Sequence, residues 1–169
     1  LEAIGRGLDA SVLYIGDVIG PSMGGLSPLT RTIGDYCRGE LRAAVRGEYA
    51  IVDAADAARM ALTCCETAEE RTILTGHCTE AAALFEMLRL LTDREDVPLL
   101  RSPGWSRWTA WLSESMQRFH LEQPRPAIAC PTLSGRIPNG WDAPSDFQLR
   151  PLRDTLAETV CWLRETGKI

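Results

Sequence analysis

Two carboxylates, Asp53 and Asp56, stand where a short apolar run meets an alanine-rich stretch, in YAIVDAADAARMALTCC (49–65). Acids at such a junction suit general acid–base work or a metal, but the local pattern offers a plainer use. Tyr49 to Val52 reads as a strand that enters a helix with no turn residue between. Asp53 is then placed to accept an N–H of the first turn, with Asp56 three residues on as in a capping box. Carboxylates also gain from the positive end of the helix dipole, so capping is the preferred reading.

The other reactive side chains are dispersed. Six cysteines (37, 64, 65, 78, 130 and 161) fit neither a compact disulfide scaffold nor a CxxC pair. Cys37, Cys64 and Cys161 fall at helix-face positions and read as buried thiols of a reducing compartment. A zinc site from Cys64, Cys65, His77 and Cys78 is disfavoured, because adjacent cysteines rarely aim at one ion, so no metal is expected. His77 and His120 are the two histidines, and no serine or cysteine sits in a nucleophile elbow beside them. The glycine-rich run GDVIGPSMGG (16–25) follows an apolar strand, as phosphate loops do, yet matches neither GxGxxG nor GxxxxGK. Trp105, Trp108 and Trp111 lie near one helix face with Leu112 and Phe119. They suit an apolar substrate cleft or an interface, and ordinary helix packing uses tryptophan equally well.

These residues need elements to hold them. LDASVLYI (8–15) reads as a strand whose SVLYI run is apolar enough for burial on both faces of a parallel sheet. Residues 16–25 read as loop. Ser27 with Pro28 opens a helix that buries Leu29, Ile33, Tyr36 and Cys37 and stops at Gly39. Residues 41–47 are a connector or short strand before the strand and helix of 49–65, whose apolar face is Ala57, Met60, Ala61 and Cys64. ERTILTG (70–76) is a strand, and Thr79 caps a helix with Leu84, Phe85, Leu88 and Leu91 as its core stripe. Residues 97–105 are a linker, 106–119 the aromatic helix, and 123–146 a proline-rich loop passage. A final helix starts at Pro151 and packs Leu152, Leu156, Val160 and Leu163 inward. The sum is an α/β chain.

At 169 residues and 45% hydrophobic, the chain can bury a real core. A net charge of −5 and the lack of a basic patch argue against nucleic acid. No apolar run is long enough to span a membrane, and no signal peptide is recognisable, so a cytoplasmic protein is expected. Residues 1–7 read as the end of a helix, and the missing initial Met suggests a segment of something longer.

Several stretches, in order, resemble the C-terminal half of extended short-chain dehydrogenase/reductases, the group of nucleotide-sugar epimerases and dehydratases and dihydroflavonol reductase-like enzymes. GLDASVLYIGDVIGP (7–21) is similar to the sixth Rossmann strand and its loop, matching at Val18, Gly20 and Pro21 and carrying Tyr14-Ile15 in place of the usual Asn-Pro. YAIVDAADAARMAL (49–62) resembles the family's strand–helix element at Val52, Asp53, Asp56 and Ala58. RTILTGHCTEAAALFEML (71–88) matches at Gly76 and Thr79, and 147–169 is close to the family tail.

The resemblance implies the C-terminal part of a Rossmann-type sheet, with residues 1–21 ending that half and 22–169 forming a mainly helical substrate-binding region. It implies an NAD or NADP cofactor that binds only with the N-terminal nucleotide-binding half, whose motif is absent. Tyr14, Ile15, Gly16, Asp17 and Val18 would border the nicotinamide. Gly20, Pro21, Ser22, Met23, Ile33, Tyr36, Trp105 and Trp108 would border a small carbonyl or hydroxyl substrate, one that the tryptophans tilt toward apolar. No catalytic residue is expected in the chain, since Tyr14, Tyr36 and Tyr49 all lack a lysine four places on. The expected function is therefore the substrate side of an NAD(P)-dependent oxidoreductase or epimerase, with a second chain as one source of the missing half. The alternative is a non-catalytic binding or regulatory module of the same descent.

Overall fold

The computed structural model describes residues 10–67, 71–101, 128–129 and 147–169. Strand β1 (Val12–Ile15) runs through Gly16 into β2 (Asp17–Ile19). Helix α1 (Pro28–Arg38), β3 (Ala43–Val45), β4 (Glu48–Asp53) and α2 (Ala54–Thr67) follow. Next come β5 (Arg71–Leu74), β6 (His77–Glu80) and α3 (Ala81–Thr92). Strands β7 (Leu99–Arg101) and β8 (Ile128–Ala129) precede the last helix, α4 (Leu152–Glu165). Among the described residues no helix is long and apolar enough to cross a membrane.

β4 organises the packing. It pairs in parallel with β2, Val18 opposite Val52, and antiparallel with β6, Tyr49 opposite Thr79. Successive strand side chains point to opposite faces. Tyr49 and Ile51 enter the main core with Ile33, Phe85, Leu88 and Leu156. Val52 turns to the other face, against Met60, Cys64 and Leu74. Helices thus cover both faces, the α/β arrangement expected, and each fully buried Leu or Ile stabilises it by roughly 2 kcal/mol.

Two continuous strands change partners beside β4. β1 pairs in parallel with β5, Tyr14 opposite Ile73, which meets the expectation of a parallel partner for the first strand. The chain then bends at Gly16 so that β2 reaches β4, while β5 bends at Thr75–Gly76 so that β6 reaches the other edge. Both bends press backbone on backbone. A Cβ at Gly16 would stand 2.4 Å from the Ala50 carbonyl oxygen, and one at Gly76 would stand 2.0 Å from that of Ile51. Gly76 also has φ +69°, a conformation side chains disfavour.

Several expectations change. Residues 17–19 form a strand rather than loop, because glycines at 16 and 20 free a three-residue segment to pair with β4. Thr79 does not cap a helix: residues 77–80 extend along β4, and α3 starts one residue later with no side-chain cap. β1 is not buried on both faces, since Tyr14 and Ile15 are 41% and 40% exposed and, among the described residues, only β5 flanks it. Ala61 faces solvent, and the buried stripe of α2 is Asp56, Met60 and Cys64. Of the three thiols expected inside, Cys64 is buried, Cys37 half-buried and Cys161 exposed. Burial pushes the Cys37 thiol pKa up, whereas Cys161 is raised by its hydrogen bond to Glu165. The expected helix end at 1–7, the aromatic helix at 106–119 and most of the loop at 123–146 lie outside the described residues.

The remaining helices follow their local chemistry. Ser27 caps α1, its Oγ accepting from Thr30 N at 3.2 Å, and Gly39 ends it in a left-handed turn. α4 begins after Pro151 and buries Leu156, Val160 and Leu163.

Candidate functional site

Ligands in open α/β sheets bind beyond the carboxyl ends of parallel strands. The chain leaves β2 at that end through Gly20 and Pro21, and a cavity of about 380 Å³ opens there. Its size suits a small molecule. Val18, Pro21 and Leu26 supply apolar wall, Ser22 and Thr30 hydroxyls, and Ala54, the first residue of α2, the back. Gly20 lets these surfaces close up: a Cβ there would stand 3.2 Å from the Ala54 Cβ.

The wall's polar groups are largely spoken for. Ser27 Oγ donates to Thr30 Oγ1 at 2.8 Å while accepting from Thr30 N. Ser22 Oγ accepts from Gly24 N at 3.2 Å and donates to the Gly25 carbonyl at 3.5 Å.

The residues expected to form the site divide into three groups. Val18, Gly20, Pro21 and Ser22 line the cavity together. Met23 stands fully exposed in the same loop. Tyr14, Ile15, Gly16 and Asp17 lie along the preceding strand, Asp17 opposite Ile51. Ile33 and Tyr36 point into the core, and they reach the cavity only through α1. Tyr36 OH donates to the Asp96 carbonyl at 3.1 Å, and burial raises its pKa. Trp105 and Trp108 lie outside the described residues. Leu26, Ser27 and Ala54 line the cavity without having been foreseen as site residues, and Thr30 brings the first turn of α1 to it. Ser27 and Ala54 were nonetheless legible as a helix cap and a helix start.

Behind Ala54 the chain is tied down. Asp53 Oδ1 accepts from Ala55 N at 2.7 Å, the capping role its position suggested. Its Oδ2 accepts from Thr155 Oγ1 at 2.9 Å and lies 3.4 Å from the Arg150 guanidinium. Asp56 does not complete a capping box. It accepts from the Arg150 backbone N–H at 2.8 Å and pairs with Arg59, which stacks 4.8 Å over the Phe147 ring. Arg150 also pairs with Glu158, and its carbonyl meets His77 Nε2 at 2.7 Å. Residues 147–155 are therefore bolted onto the β4–α2 junction. Buried carboxylates need such partners, and here both acids have them. Among the described residues no three His, Cys, Asp or Glu side chains converge to hold a metal.

No family model matches the chain. Sterol demethylase protein B of Methylococcus capsulatus is 28% identical over 178 aligned positions, taking in all of this chain and 54% of that protein. A nucleoside-diphosphate-sugar epimerase from Pseudomonas aeruginosa superposes with a TM-score of 0.67 at 24% identity, over 99% of this chain and 52% of that one. The Bordetella bronchiseptica enzyme WbmH, solved with NAD+, superposes at 0.59 and 17% identity, over 97% and 48%. The chain has the same fold as these two solved proteins. It spans about half the length of the proteins it matches. In that fold the cavity beyond β2 and the exposed end of β1 stand side by side on one chain segment, Tyr14 to Ser22.

Proposed function

We propose that the chain is the C-terminal, substrate-side portion of an NAD(P)-dependent oxidoreductase or epimerase acting on a carbonyl or hydroxyl substrate. The observation that carries this reading is the cavity at the carboxyl end of β2, lined by the Gly20–Pro21 segment that the family motif singles out. The half-length match to longer single chains argues for one polypeptide rather than a second subunit as the source of the nucleotide-binding half.

A nicotinamide fits the residues present. Tyr14 and Ile15 each expose a large apolar side chain near the carboxyl end of a parallel strand, on its two opposite faces, and a planar ring would stack against one of them. When bound, the cofactor supplies hydride exchange with a carbon bearing oxygen. This chain's part is to flank the ring with Tyr14 to Val18 and to hold the substrate against it with Val18 to Ser22. The chain is read as catalytically incomplete by itself because Tyr14, Tyr36 and Tyr49 all lack a lysine four places on.

The test is a calorimetric titration with NAD(H) and NADP(H) of this chain and of the full-length protein. Binding by the full-length protein and none by the chain alone is expected. Micromolar binding by the chain alone overturns the division of labour. No binding by either favours a non-catalytic module of the same fold.

A further inference from the structure

We propose that Arg150 is a positioning residue for the cavity wall: from behind the β4–α2 junction its guanidinium fixes Asp53, and through Asp53 the lining residues Ile19, Gly20 and Ala54. The proposal rests on the preceding reading of the cavity as a substrate site.

Asp53 joins the two sides. It stands opposite Ile19 in the β2–β4 ladder and is followed directly by Ala54. Ile19 and Ala54 both line the cavity. Gly20 runs between them, and a Cβ on it would stand 3.2 Å from the Ala54 Cβ, so the two walls have little slack. A small rotation at Asp53 therefore moves lining residues on both strands at once. Binding groups must be held to within about 0.5 Å, so such a rotation matters to a site.

The Asp53 carboxylate is held at both oxygens. Oδ1 accepts from Ala55 N at 2.7 Å, and Oδ2 accepts from Thr155 Oγ1 at 2.9 Å with the Arg150 guanidinium 3.4 Å away. The side chain is 6% exposed, and a cation beside it offsets the cost of burying its charge. Arg150 is itself fixed at three further points. Its N–H donates to Asp56 Oδ2 at 2.8 Å, its carbonyl accepts from His77 Nε2 at 2.7 Å, and its guanidinium also pairs with Glu158 of α4. A planar guanidinium bridges two carboxylates in set directions, which a single ammonium does less rigidly. The seat of α4 is thus passed to Asp53 and on to the wall. Both main-chain bonds survive a change of side chain, so substitution isolates the guanidinium from the seating of its segment.

The experiment measures amide hydrogen exchange in ligand-free full-length protein, comparing residues 18–22 with β5. Arg150→Met should speed exchange at 18–22 by about ten-fold and leave β5 at the wild-type rate, as a local opening does and global unfolding does not. Arg150→Lys keeps the charge without the fork and should speed it by only about three-fold. Val160→Ala truncates the buried face of α4 away from the partners of Asp53 and should show no preference for 18–22. Unchanged exchange at 18–22 in Arg150→Met overturns the proposal, as does acceleration shared equally with β5. So do lysine and methionine variants that behave alike, or Val160→Ala reproducing the selective pattern. Should Arg150→Met not fold, Arg150→Lys decides: selective acceleration supports the proposal, and the wild-type rate overturns it. Each preparation is also titrated with NADH and NADPH. Binding of neither by the wild type counts against the oxidoreductase reading, while the exchange comparison still decides the role of Arg150.

Discussion

The two sides of the β4–α2 junction are built to opposite specifications. Toward α4, Asp53 and Asp56 are buried, Asp53 held by Arg150 and Thr155 and Asp56 by the Arg150 N–H and Arg59. Toward the cavity, Gly20 to Gly25 makes few bonds beyond its own loop and leaves Pro21, Ser22 and Met23 exposed. A carboxylate withdrawn from water must be held by several groups at once, so the first side is rigid by necessity. The second is left with surface to cover, as a ligand site requires. One residue, Ala54, separates them.

Substitutions can break this contrast, and the largest effect is expected where backbone meets backbone. Gly76→Ala puts a Cβ onto the Ile51 carbonyl at positive φ and should cost about 3 kcal/mol or more, read as a fall in the urea midpoint. Asp53→Ala removes the α2 cap and strands the Thr155 hydroxyl, for an expected loss of about 2–3 kcal/mol in the same assay. Thr155→Val deletes one of those bonds while keeping the shape, and about 1 kcal/mol is expected.

A pH titration sharpens the comparison beneath the cavity. Tyr36, buried under α1, has its pKa raised by desolvation. The fold therefore favours the neutral phenol. That contribution is complete below the ordinary tyrosine value of about 10 and is lost as pH rises from there through the raised folded value. Denaturation midpoints should fall above pH ~10, less steeply in Tyr36→Phe than in wild type. The smallest effect belongs to the receiving side. Ser22→Ala should shift stability by under about 0.5 kcal/mol, and a larger loss would mean that this wall is as rigid as its counterpart.

Much of the holding side was legible in part. The strand–cap–helix order of 49–65 is local chemistry, and Asp53 does cap. The partners of Asp56 are not local: the Arg150 N–H comes from 94 residues away, and no spacing rule points to it. β2 and β6 were missed for a related reason. Asp17–Ile19 and His77–Glu80 have weak strand character of their own, and they are extended because β4 offers them an edge on each side. At the cavity, the family motif led to Val18, Gly20, Pro21 and Ser22. Assigning Ile33 and Tyr36 to the substrate overlooked their distance along α1 from the opening, which only the first turn of the helix reaches. Ile33 and Tyr36 are three apart and share the core face, whereas Leu26, Ser27 and Thr30, at the helix start, face the opening.

The exchange of partners at Gly16 and Gly76 also bears on how the chain assembles. β1 and β2 are one stretch of backbone, and so nearly are β5 and β6, with β4 between them. Neither pairing can zip up and wait for the other. Residues 12–19 must meet 51–53 and 71–74 in the same event, although Val12 and its partner Arg71 are far apart in sequence. Contacts of such long range are entropically costly before they are rewarded, so folding should be slow and all-or-none around this crossing, with the helices condensing onto it.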